Sequence, residues 1–224
     1  MDMKAFFVTG TGTDIGKTYV AAGLIRASRR AGRQANAIKP IMTGYESYRP
    51  DVSDAGRLLE AMEKKVTAES VAAISPWRYA APISPDMAAA MEGRTISLPQ
   101  LLTFCEAAIK SAPGLMLVEG VGGVMVPLDR WHTVRDWIAG LHIPAILVAG
   151  SYLGSISHIL TAAEALNTHA IKIAAVVISE SDISPVRPED IASTITQFLP
   201  RTAIQIVHRM INDAEFEKLA WLLD

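Results

Sequence analysis

The chain has 224 residues, of which half are hydrophobic and 20% are charged, and its formal net charge is −2. This apolar content excludes general disorder, and the length predicts one domain, residues 1–224, with a full sheet and covering helices. The near-neutral charge argues against a nucleic-acid-binding protein. The single cysteine, Cys105, excludes an intrachain disulfide. Since no signal peptide or membrane-spanning run is evident either, we expect a cytoplasmic protein without a membrane partner.

Apolar runs of strand length alternate with segments of helical periodicity. The predicted strands are 5–8, 34–38, 115–118, 144–149, 171–178 and 203–207. The predicted helices are 17–31, 54–65, 87–92, 98–110, 134–140, 155–166, 188–198 and 214–223. Segments 42–52 and 75–86 are rich in turn residues and are predicted as loops. Apolar strands separated by helices predict an α/β fold, a doubly wound and mainly parallel sheet with helices on both faces.

The most specific motif lies between the first predicted strand and helix, and reads Gly10-Thr11-Gly12-Thr13-Asp14-Ile15-Gly16-Lys17-Thr18. Such a loop closes backbone N–H groups around phosphate oxygens. Its lysine can reach the β- and γ-phosphates, and its threonine hydroxyl can hold Mg²⁺. Five residues separate Gly10 from Gly16, one more than the usual spacing. Strand, loop and helix together predict a fold like that of the P-loop NTPases.

Polar residues follow several predicted strands, and parallel strands bring such residues to one edge of the sheet. Lys39 follows the second strand, Glu119 the strand 115–118, and Ser179 the strand 171–178. Mg²⁺ prefers oxygen ligands, so Glu119 and Asp54 are candidate metal carboxylates. Taken alone, Asp54 is better explained as an ordinary first-turn helix residue, and Lys39 can also be explained as a solvated lysine at a strand end.

Together these positions resemble the dethiobiotin synthetase family. The segments that carry the resemblance are 9–18, 39–44, residue Asp54, 84–85, 118–123 and 154–158, in chain order. The family has the same extra residue in its phosphate loop. The resemblance implies ATP-dependent, Mg²⁺-dependent carboxylation of 7,8-diaminononanoate (7,8-diaminopelargonate) with CO₂. It implies a carbamate, then a carbamic-phosphoric anhydride, then ring closure to dethiobiotin in biotin biosynthesis.

The resemblance also implies site residues and a homodimer with the substrate site at the subunit interface. The implied nucleotide-binding residues are Gly12, Thr13, Asp14, Ile15, Gly16, Lys17, Thr18, Tyr19, Asp54, Glu119, Gly120, Val121, Gly122 and Ser179. The implied catalytic residues are Lys39, Lys17 and Thr13. The implied substrate-binding residues are Thr43, Lys39, Gly154, Ser155 and Ser157, and the implied magnesium ligands are Thr18, Asp54 and Glu119.

Two positions and one short segment depart from the family pattern. The family typically has Asn at the position of Ser157 and an Asn near Ser179, and segment 206–209 replaces a different turn. Because serine offers fewer hydrogen-bonding atoms than asparagine, these changes leave the choice among ATP, CTP and GTP open.

Other classes fit the sequence less well. A ParA/MinD-type regulatory ATPase shares the sheet and a related loop, but it usually has a second lysine early in the loop, where this chain has 10–13 without lysine. A glutamine-dependent amidase needs an added domain with a nucleophilic cysteine, and Cys105 falls at helical spacing among apolar residues. A non-enzymatic scaffold gives no reason for Lys17, Lys39 and Glu119 all to follow loops or strand ends.

Overall fold

A computed structural model describes residues 4–210 and 213–223. The strands are β1 Lys4–Gly10, β2 Ala35–Ile38, β3 Ile41–Met42, β4 Trp77–Arg78, β5 Leu115–Glu119, β6 Ala145–Gly150, β7 Ile173–Ser179 and β8 Ala203–Val207. The helices are α1 Lys17–Arg30, α2 Asp54–Ala61, α3 Ala68–Ile74, α4 Pro85–Met91, α5 Leu98–Ser111, α6 Val134–Leu141, α7 Ser155–Asn167, α8 Pro188–Phe198 and α9 Asp213–Leu222, with a 3₁₀ turn at Pro50–Val52.

Six strands form one parallel sheet in the order β2-β5-β1-β6-β7-β8. Side chains alternate between its two faces. Phe7 and Val118 belong to the core cluster that includes residues of α5–α8, whereas Val8 and Leu117 belong to the cluster that includes residues of α1, α2 and α9. The predicted doubly wound sheet with helices on both faces is therefore confirmed. The prediction of one domain over 1–224 includes 1–3, 211–212 and 224, which lie outside the described residues.

Strand β1 lies in the middle of the sheet, and this placement determines where the phosphate loop lies. Val8 pairs with Glu119 of β5, and Gly10 pairs with Val148 of β6. Beyond the strand, the Thr11 N–H still donates to the Val148 carbonyl at 3.0 Å. The loop therefore begins at the carboxyl edge of the sheet, between its two neighbouring strands.

The structure differs from the sequence predictions mainly between residues 42 and 86. Helix α2 ends at Ala61 and not at residue 65, because Glu63 takes a left-handed conformation with φ of 58°. Helix α3 was missed, although Thr67 and Ser70 cap its first turn reciprocally. Strands β3 and β4 include residues of the predicted loops 42–52 and 75–86 and pair only with each other. Helix α4 begins at Pro85, within the second predicted loop.

Two further expectations concern single features. Cys105 is fully buried on α5, and burial raises the pKa of its thiol to about 12, which makes it an inert core residue as expected. Among the described residues, every helix is too short or too polar to cross a bilayer.

Candidate active site

The turn between β1 and α1 has the backbone that a phosphate-binding loop requires. Gly16 precedes α1 with φ of +93°, and Asp14 is also left-handed with φ of 56°. An L side chain is strained in the conformation of Gly16, and a β-carbon there would lie 2.5 Å from the Ser179 Oγ. The glycine therefore lets the loop lie directly against the end of β7.

Lys17, the first residue of α1, is buried and folds back over this loop. Its Nζ donates a hydrogen bond of 2.6 Å to the Gly12 carbonyl oxygen. Burial, and then the neighbouring charge of Lys39, lower the pKa of the Lys17 ammonium to about 8. An anion in the loop would favour the charged form, so this lysine suits a triphosphate ligand.

Next to the loop lies a largely buried cluster of charged and polar groups from α1, α2, β5 and the turn after β2. The Lys39 Nζ is 2.8 Å from Glu119 Oε1 and 3.3 Å from Asp54 Oδ2, and it donates to the Gly120 carbonyl at 2.6 Å. Thr18 Oγ1 donates to the same Glu119 oxygen at 2.7 Å. Glu119 is on the same face of β5 as Leu117, which is the face covered by α1.

The pKa values of Lys39 and Asp54 are shifted toward the charged forms. Burial opposes the charge of Lys39, but Glu119 and Asp54 outweigh it and raise the pKa of the Lys39 ammonium. Burial would likewise raise the pKa of Asp54, but Lys39 and the hydrogen bond with Thr18 lower it. The cluster therefore holds fixed charges at neutral pH, as electrostatic stabilisation of a reacting phosphoryl group requires.

The cluster and the loop line one cavity of about 350 Å³. Its lining residues are Thr13, Asp14, Gly16, Lys17, Thr18, Tyr19, Lys39, Met42, Thr43, Asp54, Arg57, Glu119, Val121 and Gly122. We call it the phosphate cavity. Twelve of these fourteen were predicted from the sequence; Met42 and Arg57 were not. Two further predicted residues, Gly12 and Gly120, take part through their carbonyl oxygens.

A second cavity, of about 480 Å³, shares Asp14, Gly16 and Tyr19 with the first. Its other lining residues are Ile15, Tyr152, Ser179, Glu180, Ser181, Asp182, Ile183 and Arg209. Of these eight residues, only Ile15 and Ser179 were predicted from the sequence as nucleotide-binding residues. The others come from the turns after β6, β7 and β8, a position at strand ends that could have indicated them.

The predicted residues Gly154, Ser155 and Ser157 line neither cavity. They lie at the start of α7, where Gly154 has φ of +97° and is exposed together with Ser157, whereas Ser155 is buried. Exposed backbone at a helix N-terminus is suited to an anion. Within the described chain this position is separate from the Lys39 cluster.

The fold is that of a P-loop NTPase. It has a parallel sheet with a phosphate loop after a central strand, a buried lysine–carboxylate cluster beside that loop, and two adjoining cavities. Residues 4–211 match the AAA domain family. Two solved structures share the fold. The cell division ATPase MinD of Pyrococcus furiosus has a TM-score of 0.57 and 15% identity, and the match covers 99% of this chain and 98% of MinD. The signal recognition particle receptor FtsY of Elizabethkingia anophelis has a TM-score of 0.52 and 11% identity, and the match covers 99% of this chain and 66% of FtsY.

Sequence relatives are much closer. The ATP-dependent dethiobiotin synthetase BioD of Acidiphilium cryptum is 54% identical over 201 residues, which are 89% of this chain and 90% of that protein. The protein of the same name from Methylobacterium nodulans is 50% identical, with 87% and 89% coverage. The chain belongs to the ATP-dependent dethiobiotin synthetase family and is an ATP-dependent ligase of biotin biosynthesis. These relatives confirm the family resemblance on which the sequence prediction rested. The likeness to MinD is a likeness of fold alone.

Proposed function

We propose that this chain carboxylates and cyclises 7,8-diaminononanoate with CO₂, forming dethiobiotin, ADP and phosphate. The observation that carries the proposal is the buried Lys39, held between Glu119 and Asp54 at the wall of the cavity that Lys17 and the loop also line. A cation fixed beside a triphosphate site can stabilise a second anion next to the γ-phosphate. A carbamate is such an anion, and the named relatives are synthetases of dethiobiotin.

The reaction has three steps. One amine of the substrate attacks CO₂ and loses a proton, which leaves a carbamate. A carbamate oxygen then attacks the γ-phosphorus of ATP and releases ADP, forming the carbamic-phosphoric anhydride. The second amine attacks the carbonyl carbon and loses a proton, the bond from that carbon to the phosphate oxygen breaks, and phosphate leaves as the ring closes to a cyclic urea. Because the carbamate is a weak nucleophile, alignment with the γ-phosphate supplies much of the rate.

Individual residues have roles that follow from their positions. Lys17 binds the β- and γ-phosphate oxygens, and for this it exchanges its bond to the Gly12 carbonyl for the ligand. Lys39 stabilises the carbamate and the phosphoryl group in transfer. Thr13 and Thr43, both in the lining of the phosphate cavity, hydrogen-bond the carbamate or the diamine.

Magnesium fits the donor set of the phosphate cavity. Thr18, Asp54 and Glu119 offer the hard oxygen atoms that this ion prefers. Glu119 Oε2 is buried and has no hydrogen-bond partner among the described residues, so it is free to accept a ligand. In the described residues, no group of three or more His, Cys, Asp or Glu side chains forms a metal cage. When bound, Mg²⁺ would neutralise charge on the phosphates, with water and phosphate completing its shell.

The nucleoside part of ATP fits the second cavity, which adjoins the phosphate cavity at Asp14, Gly16 and Tyr19. Ser179 lines it with a short hydroxyl side chain that faces Gly16. A comparison of the activities with CTP, GTP and ATP measures how strictly this cavity selects the base.

The substrate carboxylate requires a further site, and we infer that the start of α7 from a second subunit provides it. Gly154 and Ser157 are exposed there, and helix N-termini attract anions. This arrangement requires a homodimer. We place that homodimer in the cytoplasm. Mixing Lys39→Ala protomers with Ser157→Asp protomers should regenerate one intact site per heterodimer and restore activity that neither variant has alone. Unrestored activity after verified subunit exchange would contradict the shared site.

The decisive experiment supplies diaminononanoate, bicarbonate, Mg²⁺ and ATP to the purified protein and looks for dethiobiotin by mass spectrometry. We expect a product that depends on every component, with one ADP per dethiobiotin. ATP hydrolysis without dethiobiotin, independent of the diamine, would overturn the proposed reaction. Repeating the reaction with CTP and GTP determines the nucleotide preference.

A further inference from the structure

Arg57 is a cation of the phosphate cavity that no step above uses. It lies on α2 three residues after Asp54, and it lines the cavity together with Asp54 and Thr43. Residues three apart share a face of a helix, and their side chains lean toward its N-terminus. Arg57 therefore lies on the same face of α2 as Asp54, at the wall of the same cavity.

Arg57 differs from the other basic groups of this cavity in having no partner. Lys39 is bound by two carboxylates and Lys17 by a carbonyl. In residues 4–210 and 213–223, no ion pair or side-chain hydrogen bond involves the Arg57 guanidinium. Surface arginines elsewhere, such as Arg29 and Arg187, are paired with carboxylates. An unpaired guanidinium at the wall of an anion-binding cavity has its donors available for a ligand.

The charges around the cavity indicate what that ligand is. Lys39, Asp54 and Glu119 together carry a formal net charge of −1 in the absence of Mg²⁺, so Lys39 shares its positive charge with its own neighbours. Lys17 supplies one positive charge to the triphosphate, and Asp14, also in the lining, opposes it. A carbamate next to a γ-phosphate adds further negative charge during transfer. Arg57 is the cation in this lining that is not already engaged by another group.

We propose that Arg57 is a further catalytic residue, which binds the oxyanions of the carbamate and the γ-phosphoryl group in transfer. This inference rests on the proposed function. The planar guanidinium donates two parallel hydrogen bonds to paired oxygens, a geometry that carboxylate-like and phosphoryl groups both match and that an ammonium does not. Because α2 is anchored by the Ser53 cap, Arg57 approaches the cavity from a fixed helix.

The test compares Arg57→Gln and Arg57→Lys with the control Arg201→Gln. Arg201 is exposed like Arg57, but it precedes β8 and lies at the opposite edge of the sheet. For each protein we would measure kcat and KM for diaminononanoate and ATP, and the affinities for ADP and for a non-hydrolysable ATP analogue. Thermal unfolding verifies that each variant is folded.

We expect Arg57→Gln to lose activity by about 10- to 100-fold, the effect of one hydrogen bond to a charged group, with ADP affinity unchanged. Weaker binding of the ATP analogue would assign the contact to the γ-phosphate. Unchanged nucleotide affinities with reduced kcat/KM for the diamine would assign it to the carbamate. Arg57→Lys should recover part of the loss, and Arg201→Gln should match the wild type.

Two results would overturn the proposal. One is kinetic constants for Arg57→Gln within twofold of those for Arg201→Gln. The other is an equal loss of ADP and ATP-analogue affinity, which would show a general effect on the cavity. Failure of the wild type to make dethiobiotin would instead contradict the proposed function, so the two failures are distinguishable.

Discussion

The ammonium of Lys39 joins two carboxylates from separate parts of the chain, with Nζ 2.8 Å from Glu119 Oε1 and 3.3 Å from Asp54 Oδ2. Lys39 and Glu119 are both buried, whereas the Asp54 side chain is 43% exposed. In the mechanism proposed above, the same charge of Lys39 both pairs with these carboxylates in the fold and stabilises the reacting anions. Changing it should affect both properties, and a second substitution can separate them.

Lys39→Met should abolish turnover, with a loss of at least about 100-fold, because a charge aimed at the transition state is removed. It also leaves Glu119 buried without its partner, which should cost about 3–5 kcal/mol in the free energy of unfolding. Urea denaturation and steady-state kinetics measure the two effects.

The double variant Lys39→Met with Glu119→Gln removes both charges. We expect it to recover most of the stability and none of the turnover. ATP affinity that falls in parallel with turnover in Lys39→Met would count against the catalytic role, because the partner charge of Lys39 develops only during transfer.

Lys17 should make ATP binding sensitive to alkaline pH. The pKa of its ammonium is about 8 in the free protein, so the group is largely neutral at pH 9, whereas a bound triphosphate keeps it charged. ATP affinity should fall above pH 8, and binding at pH 8.5–9 should take up protons. Calorimetry in buffers of different ionisation enthalpy measures this uptake, and Lys17→Arg, whose charge is fixed, should eliminate it. Equal proton uptake by Lys17→Arg would assign the titration to another group.

The same pKa has a defined effect on stability. Since the folded value of about 8 lies below the ordinary value of 10.5, the unfolded chain binds more protons between these two pH values. This group alone therefore makes the folded protein more stable as pH rises from 8 to 10.5, while it weakens nucleotide binding over the same range. Stability and ATP affinity should change in opposite directions with pH.

Asp54→Asn should raise the Mg²⁺ concentration for half-maximal activity by at least about tenfold, the usual lower effect of perturbing a metal site. The matched control is Asp51→Asn, three residues earlier, since Asp51 is exposed and lines neither cavity. Titration with Mg²⁺ at saturating ATP makes the comparison. Similar shifts in both variants would indicate a general loss of negative charge and not a ligand position.

Gly23→Ala should destabilise the protein, although alanine is the better helix former by about 1 kcal/mol. A β-carbon at Gly23 would lie 2.2–2.4 Å from ring carbons of Phe216, which is buried on α9 and packs edge-on against Tyr19. We expect a loss of about 1–3 kcal/mol, typical of overpacking. In a Phe216→Leu background the same substitution should cost less. Denaturation curves of the wild type, the two single variants and the double variant form a double-mutant cycle. An equal loss in the free energy of unfolding in both backgrounds would contradict the contact.

The fold was predictable because its signals are local. Apolar runs of four to eight residues marked the six strands of the main sheet, and Gly16, Lys17 and Thr18 marked the loop. The rule that ligands gather at strand ends predicted that Lys39 and Glu119 would meet. Strands β3 and β4 have two residues each, too few to show an alternation of apolar and polar residues. The end of α2 was missed because the left-handed residue after it is Glu63 and not glycine, the residue that usually marks such a position.

The unpredicted part of the site depends on tertiary direction. Arg57 is an exposed arginine on a helix, and in sequence nothing separates it from a solvated surface charge. Only the position of α2 against the loop gives it a cavity to line. The turn residues Tyr152 and Arg209 do follow strands, which is a signal in the sequence, but the sequence does not show that these two turns line the same cavity.

The pairing of Val8 with Glu119 in adjacent strands has a consequence for how the enzyme is made. A slip of one residue between β1 and β5 would reverse the two faces of β5, pointing Glu119 into the hydrophobic layer on the far side and Val118 toward Lys39. Such a chain could not hold a triphosphate. Retention on immobilised ATP should therefore sort correctly assembled molecules from misregistered ones, and nucleotide present during refolding should increase the yield of the former.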